Sequence, residues 1–238
     1  SYGNFAKAGA LAARNLFTPA YIVMPENAPK VKVEAVKAYG AEIRFCKNTQ
    51  DERTRTMEQW QKDSGATFLH PYDNTDVILG QSTCAYELLT QVHDLDNIIS
   101  PVGGGGLVSG TALSASFFSS KTKVYAAEPA GADDAWHSFT YGKIFPSTNP
   151  HTIADGLLTS LGEHTFPVIR KFVSDIITVT DEEIIQAMKL IWTRMKIIIE
   201  PSSATTLAAV FKHKEHFKGQ KTALILSGGN VDVNRLPF

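Results

Sequence analysis

Residues 97–110 read NIISPVGGGGLVSG, an apolar run that reaches Pro101 and Val102, passes through four consecutive glycines and opens into a second run with helical spacing. The first part has the turn-bounded apolar character of a strand and the last part the pattern of a helix. Between them, a backbone without Cβ atoms can take positive φ and come close to a ligand. Its N–H groups then gather at the start of the helix, where partial positive charge favours an anion, phosphate being the usual guest. A plain flexible turn is the other reading of the same glycines. The spacing is neither GxGxxG nor GxxxxGK[ST], which argues against NAD and ATP.

Working outward, the same alternation runs along the whole chain. Short β-rich runs at 20–24, 41–46, 66–70, 97–102, 123–128, 175–180 and 222–227 read as strands. Helical spacing lies between them at 29–39, 51–64, 80–92, 107–119, 182–197 and 202–213, and Asn4 is expected to cap a further helix over about 5–15. Pro29, Asp51 and Asp181 mark helix starts, Gly40 and Gly65 helix stops. Such alternation implies βαβ units, hence an α/β fold of open, twisted, mainly parallel sheets with helices on both faces. Short units over 1–73 and longer helices with richer glycine loops over 74–238 predict a smaller and a larger lobe with a crevice between them. Residues 129–165 show little periodicity and are expected to form a long functional loop.

Composition narrows the function. Twenty-three basic residues against 24 acidic ones leave a formal charge of -1, so nothing draws the whole molecule to nucleic acid or to an anionic membrane. A small-molecule partner is the expectation. Cys46 and Cys84 form neither a CxxC nor a Cys/His cluster, which argues against structural zinc and a disulfide framework and for a reducing cytoplasm. No apolar stretch approaches the roughly 20 residues of a membrane span. The chain starts without Met, inside what reads as a ligand-binding loop, and an upstream piece is expected to be missing.

Other segments carry possible chemistry. LILSGGNVD at 224–232 places a second glycine pair at the end of an apolar strand, with Ser227 offering a neutral hydroxyl, or else is a simple strand exit. AAEPAGADD at 126–134 carries Glu128 and Asp134 on a loop, hard oxygen ligands suited to Mg²⁺ or Ca²⁺ unless the loop is merely solvated. Glu200 precedes the Pro-started helix at 201, where a carboxylate complements the helix dipole. The seven histidines are scattered, with no HExxH and no GxSxG, and His70 and His164 read as structural.

Taken in order, SYGNFAKA, PVGGGGLVSG, AAEPAGADD, TIADGLLTSLG, VTDEEI, MKIIIEPSSA and SGGNVD resemble the serine racemase and serine/threonine dehydratase family of fold-type II pyridoxal phosphate enzymes over essentially the whole chain. The resemblance implies that fold, pyridoxal 5'-phosphate as cofactor, a small amino-acid substrate and a homodimer. It implies that Asn4 bonds the cofactor's ring hydroxyl while Ser1, Gly3, Asn4 and Phe5 hold the substrate carboxylate. Gly103, Gly104, Gly105 and Gly106 would bind the phosphate and Ser227 would meet the pyridine nitrogen. Glu128, the carbonyl of Ala132 and Asp134 would ligate Mg²⁺ or Ca²⁺, as in the metal loop of the eukaryotic-type racemases.

The departures matter as much. The family's Schiff-base lysine lies some tens of residues before the Asn loop, in a segment like SFKxRGA, and no lysine of residues 1–238 has that context. The chain alone is therefore expected to be inactive. Lys7 stands where the family tends to carry Gln, Phe5 replaces a usual histidine, and Tyr72 replaces an asparagine of some racemases. Tyr2 occupies the position of the racemases' second-face serine, which favours elimination over two-base racemisation. A serine beside the ring nitrogen makes a weaker electron sink than a carboxylate, and so favours quick loss of a β-hydroxyl or quick reprotonation. The alternative is a truncated, non-catalytic member that binds or regulates a partner subunit.

Overall fold

The computed structural model describes residues 3–28, 30–47 and 49–238, so the expectations for Ser1, Tyr2 and Pro29 lie outside the described residues. The chain forms two compact units, Ser1–Pro71 with Asn230–Arg235, and Tyr72–Gly229 with Leu236–Phe238.

The first unit holds α1 (Asn4–Asn15), β1 (Tyr21–Pro25), α2 (Lys30–Ala38), β2 (Glu42–Cys46) and α3 (Gln50–Ser64). The two strands pair in parallel, Tyr21 opposite Glu42 and Pro25 opposite Cys46. Alanine spacing makes α1, and its buried Ala6 and Ala10 sit one turn apart on a single face. That face joins Met24, Ala28, Val36 and Ala41 in a core of small side chains. Gly3, not Asn4, occupies the cap of α1, and Asn4 is its first residue. The Asn4 carboxamide oxygen is drawn to Asn230 and so does not serve the helix. The cap of α3 is Thr49, whose hydroxyl accepts from the N–H of Glu52, while Asp51 lies within the first turn. Gly65 ends α3 in the left-handed conformation at φ 67°. Residues 66–70 belong to no strand; their β-rich run finds no ladder partner among the described residues, and Phe68 and Leu69 stay exposed.

The second unit holds α4 (Thr75–Gln91), β3 (Asn97–Pro101), α5 (Gly106–Phe118), β4 (Lys123–Pro129), α6 (Asp134–Tyr141), α7 (Thr165–Phe172), β5 (Asp175–Val179), α8 (Asp181–Leu190), α9 (Pro201–Lys212), α10 (Lys214–Phe217) and β6 (Thr222–Leu224). Its parallel sheet has the order β5-β4-β3-β6. Every residue of β3, and all of β4 except Lys123, is buried, as befits parallel strands covered on both faces. Val102, Val108, Ala112, Val124, Ala126, Ile169 and Ile176 pack together around the exit of β3, so the glycine run sits on a rigid base.

Three expectations need correction here. Residues 129–165 are not one long loop, since they contain a 3-10 turn at Ala130–Ala132, then α6, then a second 3-10 turn at Asp155–Leu157. The helix expected over 182–197 ends at Leu190 and widens into a π-turn at Ile191–Met195, closed by Lys196 at φ 61°. Trp192 then donates from its indole nitrogen to the carbonyl of Ile199 at 2.9 Å, which pins the turn. The ladder of β6 stops at Leu224, short of the expected Ser227. No described helix is long and apolar enough to cross a membrane.

Candidate functional site

In the second unit, β3 delivers the chain into Gly103, Gly104, Gly105 and Gly106, all buried, with Gly105 capping α5 at φ 92°. That left-handed value suits glycine alone among common residues. A Cβ on Gly104 would fall 2.3 Å from Cγ of Tyr72, so the ring and the bare backbone pack as one surface. Among the described residues no backbone or side-chain oxygen accepts from the N–H groups of Gly103, Gly104 or Gly105. Buried donors left without acceptors at a helix start are what a phosphate needs, and the glycines fit that group.

The loop is held from behind by residues that motif reading did not single out. The hydroxyl of fully buried Thr165 donates to the carbonyl of Gly104 at 2.8 Å and accepts from the N–H of Gly162 at 2.9 Å. Thr165 in turn starts α7, and the N–H groups leading into that helix, from Glu163, His164 and Thr165, all donate to the carboxylate of Asp73. Burial works against ionising Asp73, yet the hydrogen bonds from His164, Thr165 and Glu163 outweigh it and hold the carboxyl below its usual range. His164 thus stands at the cap position of α7, not within the long loop expected over 129–165.

The turn at 227–229 is braced by α9. Buried Ser203 donates its hydroxyl to the carbonyl of Gly228 at 2.8 Å and accepts from the N–H of Gly228 at 2.7 Å. Exposed Ser227 stands with its hydroxyl 3.4 Å from that of Ser203. Glu200 occupies the cap position of α9 with its side chain 2 % exposed, and that side chain makes no cap bond to the helix.

The acidic loop is a third locality. Glu128 is buried and accepts from the N–H groups of Ala135 at 2.7 Å and Trp136 at 2.8 Å, so it caps α6. Burial pushes its carboxyl up to about 9 against those two hydrogen bonds, with Asp134 and Asp133 adding to the rise. Burial also raises Asp134 to about 6, tempered by the nearby Ser147 side chain. Both carboxyl oxygens of Asp134 are buried with no hydrogen-bond partner among the described residues. They border a cavity of about 140 Å³ that Ala132 also lines. Buried carboxyl oxygens without partners, bordering a cavity, fit a hard cation. Among the described residues no three His, Cys, Asp or Glu side chains converge for a metal, and Glu128, turned to the N–H groups of α6, does not line that cavity.

In the first unit, Gly3 is buried and Asn4 and Phe5 are half-buried at the start of α1. Lys32, 2 % exposed, lays its stem against the loop: a Cβ on Gly3 would fall 2.3 Å from its Cδ. Asn230 donates from its carboxamide nitrogen to Oδ1 of Asn4 at 2.7 Å, and Lys7 donates to Oδ1 of Asn230 at 2.8 Å. Thr165, Asp73, Ser203 and Asn230 were not singled out because each acts on a segment far away in sequence, although Ser203 and Asn230 lie within the MKIIIEPSSA and SGGNVD segments.

The family described as "Pyridoxal-phosphate dependent enzyme" matches residues 1–228. Among characterised proteins, the serine racemase of Dictyostelium discoideum is 48% identical over 242 residues, covering 99% of this chain and 74% of its own length. The beta-hydroxyaspartate dehydratase of Paracoccus denitrificans is 44% identical over 238 residues, covering 100% of this chain and 76% of its own. Among solved structures, maize serine racemase superposes with a TM-score of 0.95 at 43% identity, covering 98% of this chain and 73% of that one. A family match that spans the first glycine loop and reaches Gly228 of the second, and relatives of this identity along nearly the whole chain, agree with a buried N–H cradle at the end of a parallel strand: the chain belongs to the pyridoxal-phosphate dependent enzymes, among their racemase and ammonia-lyase members.

Proposed function

We propose that these residues form the cofactor- and substrate-holding part of an ammonia-lyase that takes a small β-hydroxy amino acid, serine, threonine or hydroxyaspartate, to ammonia and a 2-oxo acid. The observation that carries this reading is the set of buried, acceptor-free N–H groups of Gly103, Gly104 and Gly105 at the opening of α5. Bound there, pyridoxal 5'-phosphate supplies the electron sink that acidifies Cα of an amino acid. The residues do the rest. Gly103, Gly104, Gly105 and Gly106 receive the phosphate, with Thr165 and Ile169 packed behind Gly105 to keep the loop from yielding. Ser227 offers the ring nitrogen a neutral hydroxyl, and Ser203 holds the turn that presents it. Such a partner keeps the sink weak and favours prompt departure of the β-hydroxyl. Asn4 meets the ring hydroxyl, while Ser1, Gly3, Asn4 and Phe5 take the substrate carboxylate. Tyr2, at the racemases' serine position, supplies no small hydroxyl to the second face, which favours elimination over racemisation. The Schiff-base lysine implied by the resemblance has no counterpart in residues 1–238, so turnover is proposed for these residues together with such a segment.

Glu128, the carbonyl of Ala132 and Asp134 are proposed to hold Mg²⁺ or Ca²⁺, whose charge would let both buried carboxyls ionise. The assembly is proposed to be a homodimer.

The test is a titration with pyridoxal 5'-phosphate followed by borohydride, then product analysis with L-serine, L-threonine and threo-3-hydroxyaspartate. Saturable binding that weakens when Gly104 is substituted, with 2-oxo acid and no D-serine from the lysine-bearing protein, supports the proposal. Absence of saturable cofactor binding at every concentration overturns it, and D-serine as the main product reverses the choice between elimination and racemisation. For the metal, a rise in Tm on adding Mg²⁺ that survives loss of both Glu128 and Asp134 refutes the ligand assignment.

A further inference from the structure

Three side chains from opposite ends of the chain make a relay in the first unit: Lys7 Nζ to Asn230 Oδ1 at 2.8 Å, then Asn230 Nδ2 to Asn4 Oδ1 at 2.7 Å. A carboxamide can turn end for end, exchanging its acceptor for its donors, and only its partners decide which way it faces. An ammonium group has three donors and no acceptor. Lys7 therefore admits only the oxygen of Asn230, which turns the Asn230 nitrogen toward Asn4. That nitrogen can only donate, so the atom of Asn4 facing it must be Oδ1. The Asn4 nitrogen, with both its hydrogens, then lies on the opposite side of Cγ. One fixed charge thus sets the polarity of two amides in succession.

We infer that Lys7 is a positioning residue, which acts through Asn230 to make Asn4 a hydrogen-bond donor toward the anionic oxygen it binds. The inference rests on the proposed function, in which that oxygen is the ring hydroxyl of pyridoxal 5'-phosphate, and it adds what decides the sense of the bond. A donor favours the ionised ring oxygen; the flipped amide would present its own oxygen there and repel it. Glutamine, which the family tends to carry at position 7, both donates and accepts, and so leaves the relay free to stand either way. In this chain the choice is built in.

The experiment is a fluorescence titration of the full chain with pyridoxal 5'-phosphate, on the wild type, Lys7→Met, Asn4→Ala, the double variant, and Lys7→Arg. Loss of one charge-assisted hydrogen bond corresponds to an increase in Kd of about tenfold or more. The Lys7→Met variant is expected to show that loss, Asn4→Ala at least as much, and the double variant no more than Asn4→Ala alone, because position 7 acts only through position 4. Lys7→Arg, also a donor without an acceptor, is expected to bind within about threefold of the wild type. Should Lys7→Met fail to fold, Lys7→Gln against Lys7→Arg reads the same difference. Losses that multiply in the double variant show that Lys7 attracts the phosphate directly, and they overturn the relay. So does an arginine variant as weak as the methionine one. A wild-type chain that binds no cofactor overturns the proposed function, and this inference falls with it; a chain that binds well without coupling between positions 7 and 4 overturns the relay alone.

Discussion

Replacing Thr165 by valine keeps the shape of the side chain and removes one oxygen from the back of the glycine loop. That oxygen donates to the carbonyl of Gly104 at 2.8 Å and accepts from the N–H of Gly162 at 2.9 Å, in a residue with no exposed surface. Gly104 is itself buried, so its carbonyl gains no water in exchange, whereas half-buried Gly162 recovers part of its loss. A buried group left unpaired costs about 1–3 kcal/mol, and one full loss with one partial loss comes to about 3 kcal/mol. For a unit of this size that is a fall in Tm of roughly 6–12 °C. Thr165→Ser keeps both bonds and gives up one methyl group, which costs about 1 kcal/mol. Thermal melts of the three proteins, read by circular dichroism at pH 7, should rank wild type, serine and valine in that order. Affinity for pyridoxal 5'-phosphate should fall in the valine variant only, since its loop is no longer tied at Gly104. A valine variant that melts within about 2 °C of the wild type, or a serine variant that falls as far, would refute the account of the loop as a braced cradle.

Three further outcomes follow from other contacts. Asp73→Ala should cost about 1–2 kcal/mol at pH 7 by uncapping α7. Because the carboxyl of Asp73 is held below its usual range, its stabilisation is present above the unfolded value near pH 4 and is lost as pH falls through the folded one. Melts at stepped pH should therefore show the variant's deficit shrinking in acid, and a deficit unchanged down to pH 2 would count against the cap. Gly104→Ala drives a Cβ to 2.3 Å from the Tyr72 ring and should cost about 1–3 kcal/mol of strain and most of the cofactor affinity. Adding Tyr72→Ala should return stability but not affinity, which urea unfolding and the titration read separately. Ser203→Ala strips the N–H of Gly228 of its acceptor at 2.7 Å while the carbonyl keeps its bond from Glu200, so about 1–2 kcal/mol is expected from the melt, with a shifted absorbance of bound cofactor as Ser227 moves.

Which features could be read in advance depended on how far apart their causes lie in the chain. The strand, the glycines and the helix at 97–118 are adjacent, and the composition of each segment states its conformation, so β3 and α5 follow from local pattern alone. The same holds for Thr180 and Glu183, which box the start of α8 three residues apart. By contrast α6 begins on the carboxylate of Glu128, seven and eight residues upstream of its donors, and α7 begins on Asp73, 90 to 92 residues away. Nothing within 129–165 announces those helices, because the groups that start them lie outside the segment or far along it. The β-rich run at 66–70 misled for the opposite reason: a strand is completed by a neighbour, and composition cannot promise one. At the site, the glycine loops and the acidic loop were visible as motifs, while the braces Thr165, Ser203 and Asn230 became visible only once distant segments met.

The last stretch of the first unit, Asn230–Arg235, enters the chain 226 residues after Asn4, the residue it joins. A ribosome adding 5–20 residues per second leaves an interval of about 10–45 s in which Asn4 and Lys7 are made but their partner is not. The second unit has by then received all but its final three residues. Synthesis thus runs against the order in which a binding loop would be finished: α1 is made long before the segment that completes it, and until Asn230 is added its loop has no fixed amide to offer a cofactor.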